Sequence, residues 1–353
     1  MWSQQDWGTS IRFRMALAFL ILASCSAGLA QQIPDYRAEE NWEKVCKQAE
    51  AQPLTEIQPS GPLSGDQLNK CDETALYYGL GDKPDYAAAF QCGWFQRAHP
   101  QDKVGNMFYG PGVLTMLYAN GEGVPRNYDL AIRFACEDGW ASEAEMAYRV
   151  GHLEHLRDAG PQNTIFDLCD DITSGLSDGF CTSIQTRAAD TVRARKVDEI
   201  LVMLPSSAKS AFPSLRAAEL AFEQARTHGE VDLSGTSRAA FQLREEARLR
   251  DQFLINLQRF GRGDIPTASQ ADLSLLDQKL NEIYQRIQDS PAGTWELGTI
   301  KPEGIRDSEL KWVSLVDAWV SFARIAYPNL SETRVRAQLI RLRLHQLQSI
   351  YGK

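Results

Sequence analysis

Between Ala271 and Val320 the apolar side chains recur at steps of three and four residues. Leu273, Leu276, Leu280, Ile283 and Ile287 fall on one face of a helix, and Ile305, Trp312, Leu315, Val316 and Trp319 on a face of the next. The connection between them holds Pro291, Gly293, Pro302 and Gly304, residues that interrupt helices and make turns. Two helices so joined are predicted to form an antiparallel hairpin that buries both stripes. The same period predicts helices over about 214–227, 236–260 and 332–350. In the last of these Val335, Leu339, Leu342 and Leu347 make an apolar seam beside Arg334, Arg336, Arg341 and Arg343. A basic amphipathic helix can meet an anionic surface, but packing of its seam onto the 271–320 hairpin is the expectation. The fold class that follows is all-α.

The first thirty residues read as an export signal rather than as fold. Arg12 and Arg14 precede an apolar run from Met15 to Ser24, and Gly28-Leu29-Ala30 supplies small residues for cleavage. The run is far shorter than the roughly 20 residues that cross a bilayer, so no transmembrane span is expected. Leu22-Ala23-Ser24-Cys25 is also a lipobox, in which Cys25 would be lipidated and become the first residue. Periplasmic or secreted is the primary expectation and a lipid-anchored outer-membrane protein the alternative. Either route leaves six of the seven cysteines: Cys46, Cys71, Cys92, Cys136, Cys169 and Cys181. In an oxidising compartment they imply up to three disulfides. Cys169 and Cys181, close in sequence, are predicted to pair. Metal binding would ask for C-x-x-C or paired Cys/His spacings, which the sequence lacks. No cysteine follows residue 181, which divides the chain: signal 1–30, cysteine-containing helical part 31–200, linker and helix 201–234, and helical part 235–353. The prolines and serines of PSSAKSAFPS (205–214) mark the linker.

Within the cysteine-containing part, TALYYGLGDKPDYAAAFQCGWFQRA and VLTMLYANGEGVPRNYDLAIRFACEDG superpose, with Tyr86 on Tyr128 and Ala89 on Ala131. Gly121 and Gly123 suit a tight interhelix turn, and Ala131 and Ala135 let helices approach closely. The second unit resembles a Sel-like repeat, a relative of the tetratricopeptide repeat. Fewer than three units are present, with GNMFYGPG between them, so a compact disulfide-stapled bundle is expected rather than an extended array. The C-terminal hairpin carries Leu273, Leu276, Asp277, Leu280, Asn281 and Tyr284, followed by Ile305, Arg306, Ser308, Trp312, Asp317 and Ala318, with Arg336 and Leu339 further on. This pattern resembles the small helical domain of lysozyme-inhibitor LprI-type proteins of the bacterial envelope. The resemblance implies a non-enzymatic protein that binds another protein, with a lysozyme-type muramidase as the implied partner. A structural or adaptor protein of the envelope, acting through its repeats, is the alternative.

Composition sets limits on function. With 43% hydrophobic and 24% charged residues the chain is an ordinary globular one, and a net charge of −9 argues against nucleic acid as a partner. No G-x-S-x-G elbow, phosphate loop or dinucleotide fingerprint occurs. His152 and His155, three residues apart, lack the zinc-protease spacing and read as helix-surface residues. Asp170 and Asp171 with Thr173 and Ser174 suit a cation or, more simply, the start of a helix. Glu143 and Glu145 read as a solvated pair, and Arg262-Gly263-Asp264 as a turn. No enzyme, cofactor or metal is therefore expected. The export reading has a direct check: intact mass of protein from its native host should begin at Gln31, and a diacyl- or triacylglyceryl-modified Cys25 would replace cleavage with lipidation.

Overall fold

The computed structural model describes residues 41–51, 53–54, 65, 71–99, 108–139, 141–160, 164–290 and 298–351. The segment read above as an export signal, with Cys25, lies outside them. The fold is all-helical: α1 (Trp42–Glu50), α2 (Glu73–Tyr78), α3 (Tyr86–Ala98), α4 (Pro111–Asn120), α5 (Tyr128–Ala135), α6 (Glu143–Ala159), a 3₁₀ turn (Leu168–Asp171), α7 (Gly175–Val202), α8 (Ser206–Gly229), α9 (Arg238–Arg262), α10 (Gln270–Gln288), α11 (Pro302–Ala326) and α12 (Glu332–Tyr351). No described helix is long and apolar enough to cross a membrane.

Two hydrophobic cores organise these helices. The first is built around α4, all ten residues of which are buried; a helix apolar on every side belongs at the centre of its layer. α2–α3 and α4–α5 are two copies of one unit. The Asp85 N–H donates to the Leu76 carbonyl at 2.9 Å, and the Asn127 N–H donates to the Tyr118 carbonyl at 2.9 Å. Gly79 and Gly121 end the first helix of each pair in the left-handed region, and Asp85 and Asn127 cap the second. Gly123 has a packing reason as well, because a Cβ there would lie 2.8 Å from Tyr86 Cβ. Three disulfides hold this half: Cys46–Cys136, Cys71–Cys92 and Cys169–Cys181. The first closes 90 residues, a loop of a size whose closure stabilises by about 4–5 kcal/mol in the chain-entropy picture.

α7 passes from one core to the other. Cys181 and Ile184 belong to the first, whereas Val197 and Ile200 pack against the second. The linker expected at 205–214 is instead the start of α8, with Pro205 at the N-cap and Pro213 inside the helix. Proline is compatible with a first turn, and a single missing N–H at Pro213 is outweighed once Ala208, Leu215 and Phe222 are buried. α9 runs parallel to α7: Gly175 meets Thr236 and Ser237 at one end, and Arg193 pairs with Asp251 at 2.7 Å further along both.

The 271–320 segment folds as two helices, but not face to face. α11 lies mainly on α8 and α10 mainly on α12. α8 and α11 are antiparallel, since Gly229 touches Gly304 at one end and the Phe212 and Phe322 rings are 5.9 Å apart at the other. A Cβ on Gly229 would sit 2.5 Å from the Gly304 carbonyl oxygen, so this crossing depends on two glycines. Trp319 accordingly packs on Phe253 and Phe260, with centroids at 5.2 and 5.0 Å. The expected seam of the last helix is inside, with Val335, Leu339 and Leu347 buried and Leu342 partly so. Its basic face is corrected at one position, because Arg343 has no exposure at all. Trp312 is 8% exposed within the same core. Trp312→Ala should therefore lower stability by ~3–5 kcal/mol, read as a lower denaturation midpoint. An unchanged midpoint would place Trp312 outside the core.

Candidate functional site

The charged centre of the second half starts at the C-terminal end of α8. Glu230 is fully buried and faces Arg343 of α12, which donates Nη2–H to Oε1 at 2.6 Å and Nη1–H to Oε2 at 3.0 Å. Arg226, one turn before Glu230, and Ser308 of α11 also donate to this carboxylate. Arg343 Nε reaches Glu309 at 2.7 Å, and Arg226 Nε reaches Glu245 of α9 at 2.6 Å. Burial alone would raise the Glu230 carboxyl, but the guanidiniums of Arg343 and Arg226 outweigh it and hold it below the ordinary carboxylate range. Glu309 is the opposite case: burial dominates, Arg343 offsets only part of it, and its pKa is raised. Four helices are thus joined at one polar knot.

One side of that knot opens into a cleft of about 640 Å³. Arg226, Glu230 and Glu245 form its polar floor, and Val231, Phe241, Ile300 and Ile350 its apolar walls. At the rim stand Arg244 and Arg248, with side chains 52% and 47% exposed. Arg244 is paired with Asp178 and Arg248 with Glu245, so each guanidinium is pre-positioned but still reaches water. Phe241, 42% exposed, is the accessible part of the wall. Apolar walls with a few fixed charges are the usual make-up of a binding cleft.

The positions expected from the C-terminal pattern lie elsewhere. Leu280 and Trp312 are core residues, and Leu273, Leu276 and Tyr284 are partly buried against the core. Asp277, Asn281, Arg306 and Asp317 are exposed. Asp277 and Asn281 do not bridge two helices; the Asn281 amide donates to Asp277 along one face at 3.5 Å. Asp317 does meet Arg336 of α12, at 3.1 Å. The cleft itself was not legible, because Glu230, Phe241, Arg244 and Ile350 come from segments far apart in sequence.

Two readings of the first half are corrected. His152 is 6% exposed, not on the surface; its Nδ1 lies 3.1 Å from Asp171 and its ring packs on Phe166. Glu145 is fully buried rather than solvated. Its carboxylate accepts from the N–H groups of Ser142, Thr173 and Ser174 and from the Ser177 hydroxyl. Burial opposes its ionisation, yet these donors outweigh burial and lower its pKa. The Asp170–Ser174 segment is a helix start, with Ser174 capping α7; Glu143 stays exposed. Among the described residues, one cluster has metal-type ligands together, Cys71, Glu73 and Cys92, but its sulfurs are bonded to each other.

Glu219 of α8 lines a small pocket of about 30 Å³ with Trp312, Asn256 and Gln346. Burial, with like charge from Glu223, pushes its pKa up to about 8 despite Arg216. A carboxyl raised in the folded state costs stability as pH climbs from its unfolded value near 4.5 towards 8. Glu219→Gln should therefore match the native protein near pH 4 and exceed it by about 4 kcal/mol near pH 8, measured by urea denaturation at both values. Equal stability at pH 8 would count against a protonated Glu219.

No protein-family model, curated protein or solved structure matches this chain.

Proposed function

We propose that the chain is a non-enzymatic binding protein of the bacterial envelope that captures another protein in the cleft between α8, α9 and α12. The observation that carries this reading is the cleft itself, an apolar wall under two half-exposed arginines, Arg244 held by Asp178 and Arg248 by Glu245 of the buried ion-pair network. Aromatic and arginine side chains so arranged are the residues that dominate protein interfaces. Three disulfides fit a compartment outside the reducing cytoplasm. The conspicuous polar groups in the interior, Glu145, His152 with Asp171, and Glu230 with Arg343, are engaged in holding helices together.

The partner we favour is a lysozyme-type muramidase, on the resemblance of about residues 266–345 to the LprI-type domain. Such enzymes work through two carboxyl groups in an open cleft, and the net charge of −9 complements a basic enzyme of this kind. A second reading, an envelope adaptor working through its helical repeats, is favoured by the residue-for-residue equivalence of the α2–α3 and α4–α5 turns. Binding of purified mature protein to a panel of lysozymes, by calorimetry and by inhibition of cell-wall lysis, tests the first. Tight binding should weaken roughly 30-fold or more in Phe241→Ala with Arg244→Glu, as loss of an interface hot spot of ~2 kcal/mol does. Absence of binding to every lysozyme removes the muramidase as partner. Binding that survives the double variant moves the site to the repeats.

A further inference from the structure

The Cys71–Cys92 disulfide differs from the other two in its surroundings. As in the other two bridges, one cysteine is buried and one only partly so: Cys92 is 2% exposed and Cys71 partly buried; what differs is the carboxyl beside the buried sulfur. Glu73, itself 1% exposed, brings Oε2 to 3.8 Å from Cys92 Sγ. That is the separation at which the thiol of a reduced Cys92 would donate to the carboxylate. On the other side, the Gln96 amide Nε2 lies 3.8 Å from Cys71 Sγ. Both sulfurs and a Glu73 oxygen fall within 4.8 Å of one another, and among the described residues neither other bridge has an acid or imidazole so placed. The two sulfurs are therefore unequal: one reachable and facing an N–H donor, the other enclosed and facing a carboxyl.

We propose that Cys71–Cys92 is an exchangeable disulfide that oxidises a dithiol partner, with Glu73 moving the proton of Cys92. A partner thiolate attacks Cys71 Sγ, on the less buried residue of the pair, in line with the S–S bond. That bond breaks, its electron pair leaves on Cys92 Sγ, and Cys92 takes a proton from the Glu73 carboxyl. A free thiolate enclosed beside a carboxylate would be strongly disfavoured, so the proton transfer is what lets Cys92 leave. The result is a mixed disulfide between Cys71 and the partner. Cys92 can only reverse the step, so the mixed disulfide is resolved from the partner's side. The partner's second thiolate attacks its own bridged sulfur and releases Cys71 as a thiolate, which accepts the Gln96 N–H and is then protonated by water. Glu73 regains its proton from water, balancing the two protons the partner thiols gave up. Two electrons pass from the partner dithiol to the protein, and the partner leaves as a disulfide.

The test mixes the intact oxidised protein with a reduced dithiol peptide under native conditions. Acid-quenched, alkylated samples are mapped by mass spectrometry. One equivalent of peptide should be oxidised per chain, with Cys71 and Cys92 alkylated while the Cys46–Cys136 and Cys169–Cys181 bridges stay closed. Glu73→Gln, which keeps the side chain's shape, should slow this step roughly 10²-fold, the usual range for loss of a proton-transferring group. The native protein supplies a check that does not depend on the variant folding. Its Cys71–Cys92 bridge should open in proportion to the peptide thiolate while the other two bridges stay closed. Opening of all three bridges together, or of none, would overturn the proposal. So would an unchanged rate in a Glu73→Gln protein whose circular dichroism matches the native one.

Discussion

Glu230 and Arg343 meet with no solvent exposure on either side chain, and the arrangement of the second half depends on that contact. A buried ion pair adds little net stability when compared with apolar residues of the same shape, because both partners lose their hydration. What it does impose is correspondence. Glu230 ends α8, Arg343 lies in α12, Ser308 and Glu309 come from α11, and Arg226 carries the network to Glu245 of α9. Each charge has its counter-charges in one arrangement of these helices, and a shifted register would leave a charge buried alone. Apolar stripes alone tolerate sliding by a turn; this knot does not. The glycine contact between Gly229 and Gly304 sits beside it, so helix separation and register are set at the same place.

The first half reaches the same end by other means. Some of its helices are short, eight residues in α5 and six in α2, and short helices bring little stability of their own. Capping side chains, a repeated turn and three disulfides compensate. Glu145 is the counterpart of Glu230 there, but its partners are backbone N–H groups and hydroxyls rather than guanidiniums. It ties the start of α6 to the start of α7, directly beside the bridge between Cys169 and Cys181. Buried charge is used in both halves, since Arg149 and Asp138 pair at 2.5 Å inside the first, but among the described residues the disulfides belong to the first half alone.

The cleft follows from the same network. Arg226, Glu230 and Glu245 are held for structural reasons, and the side of the knot that no helix covers becomes the polar floor of a pocket. For the binding proposed above, a cleft built on helix-borne, mutually paired charges would be rigid in advance, which reduces the ordering cost. Arg244 and Arg248, anchored to Asp178 and Glu245, keep their guanidiniums at the rim without collapsing onto the wall.

Sequence by itself determined the elements. The three-to-four-residue period placed α9 to α12 within a few residues of their observed bounds. The superposition of Tyr86 on Tyr128 marked a duplicated helix pair, and proximity in the chain marked the Cys169–Cys181 bridge. These are local signals, carried by residues one or two turns apart. The tertiary structure alone decided which stripe meets which. Adjacency in sequence suggested that α10 and α11 face each other, whereas glycine contact and ion pairing put α11 on α8 and α10 on α12. It also decided the fate of each charge. Arg343 looks like its neighbours Arg336 and Arg341, and Glu145 like Glu143; only the carboxylates and N–H groups brought in from distant segments make burial of Arg343 and Glu145 favourable. The cleft and the Cys71–Glu73–Cys92 cluster were illegible for the same reason, since both are products of long-range contact rather than of any local pattern.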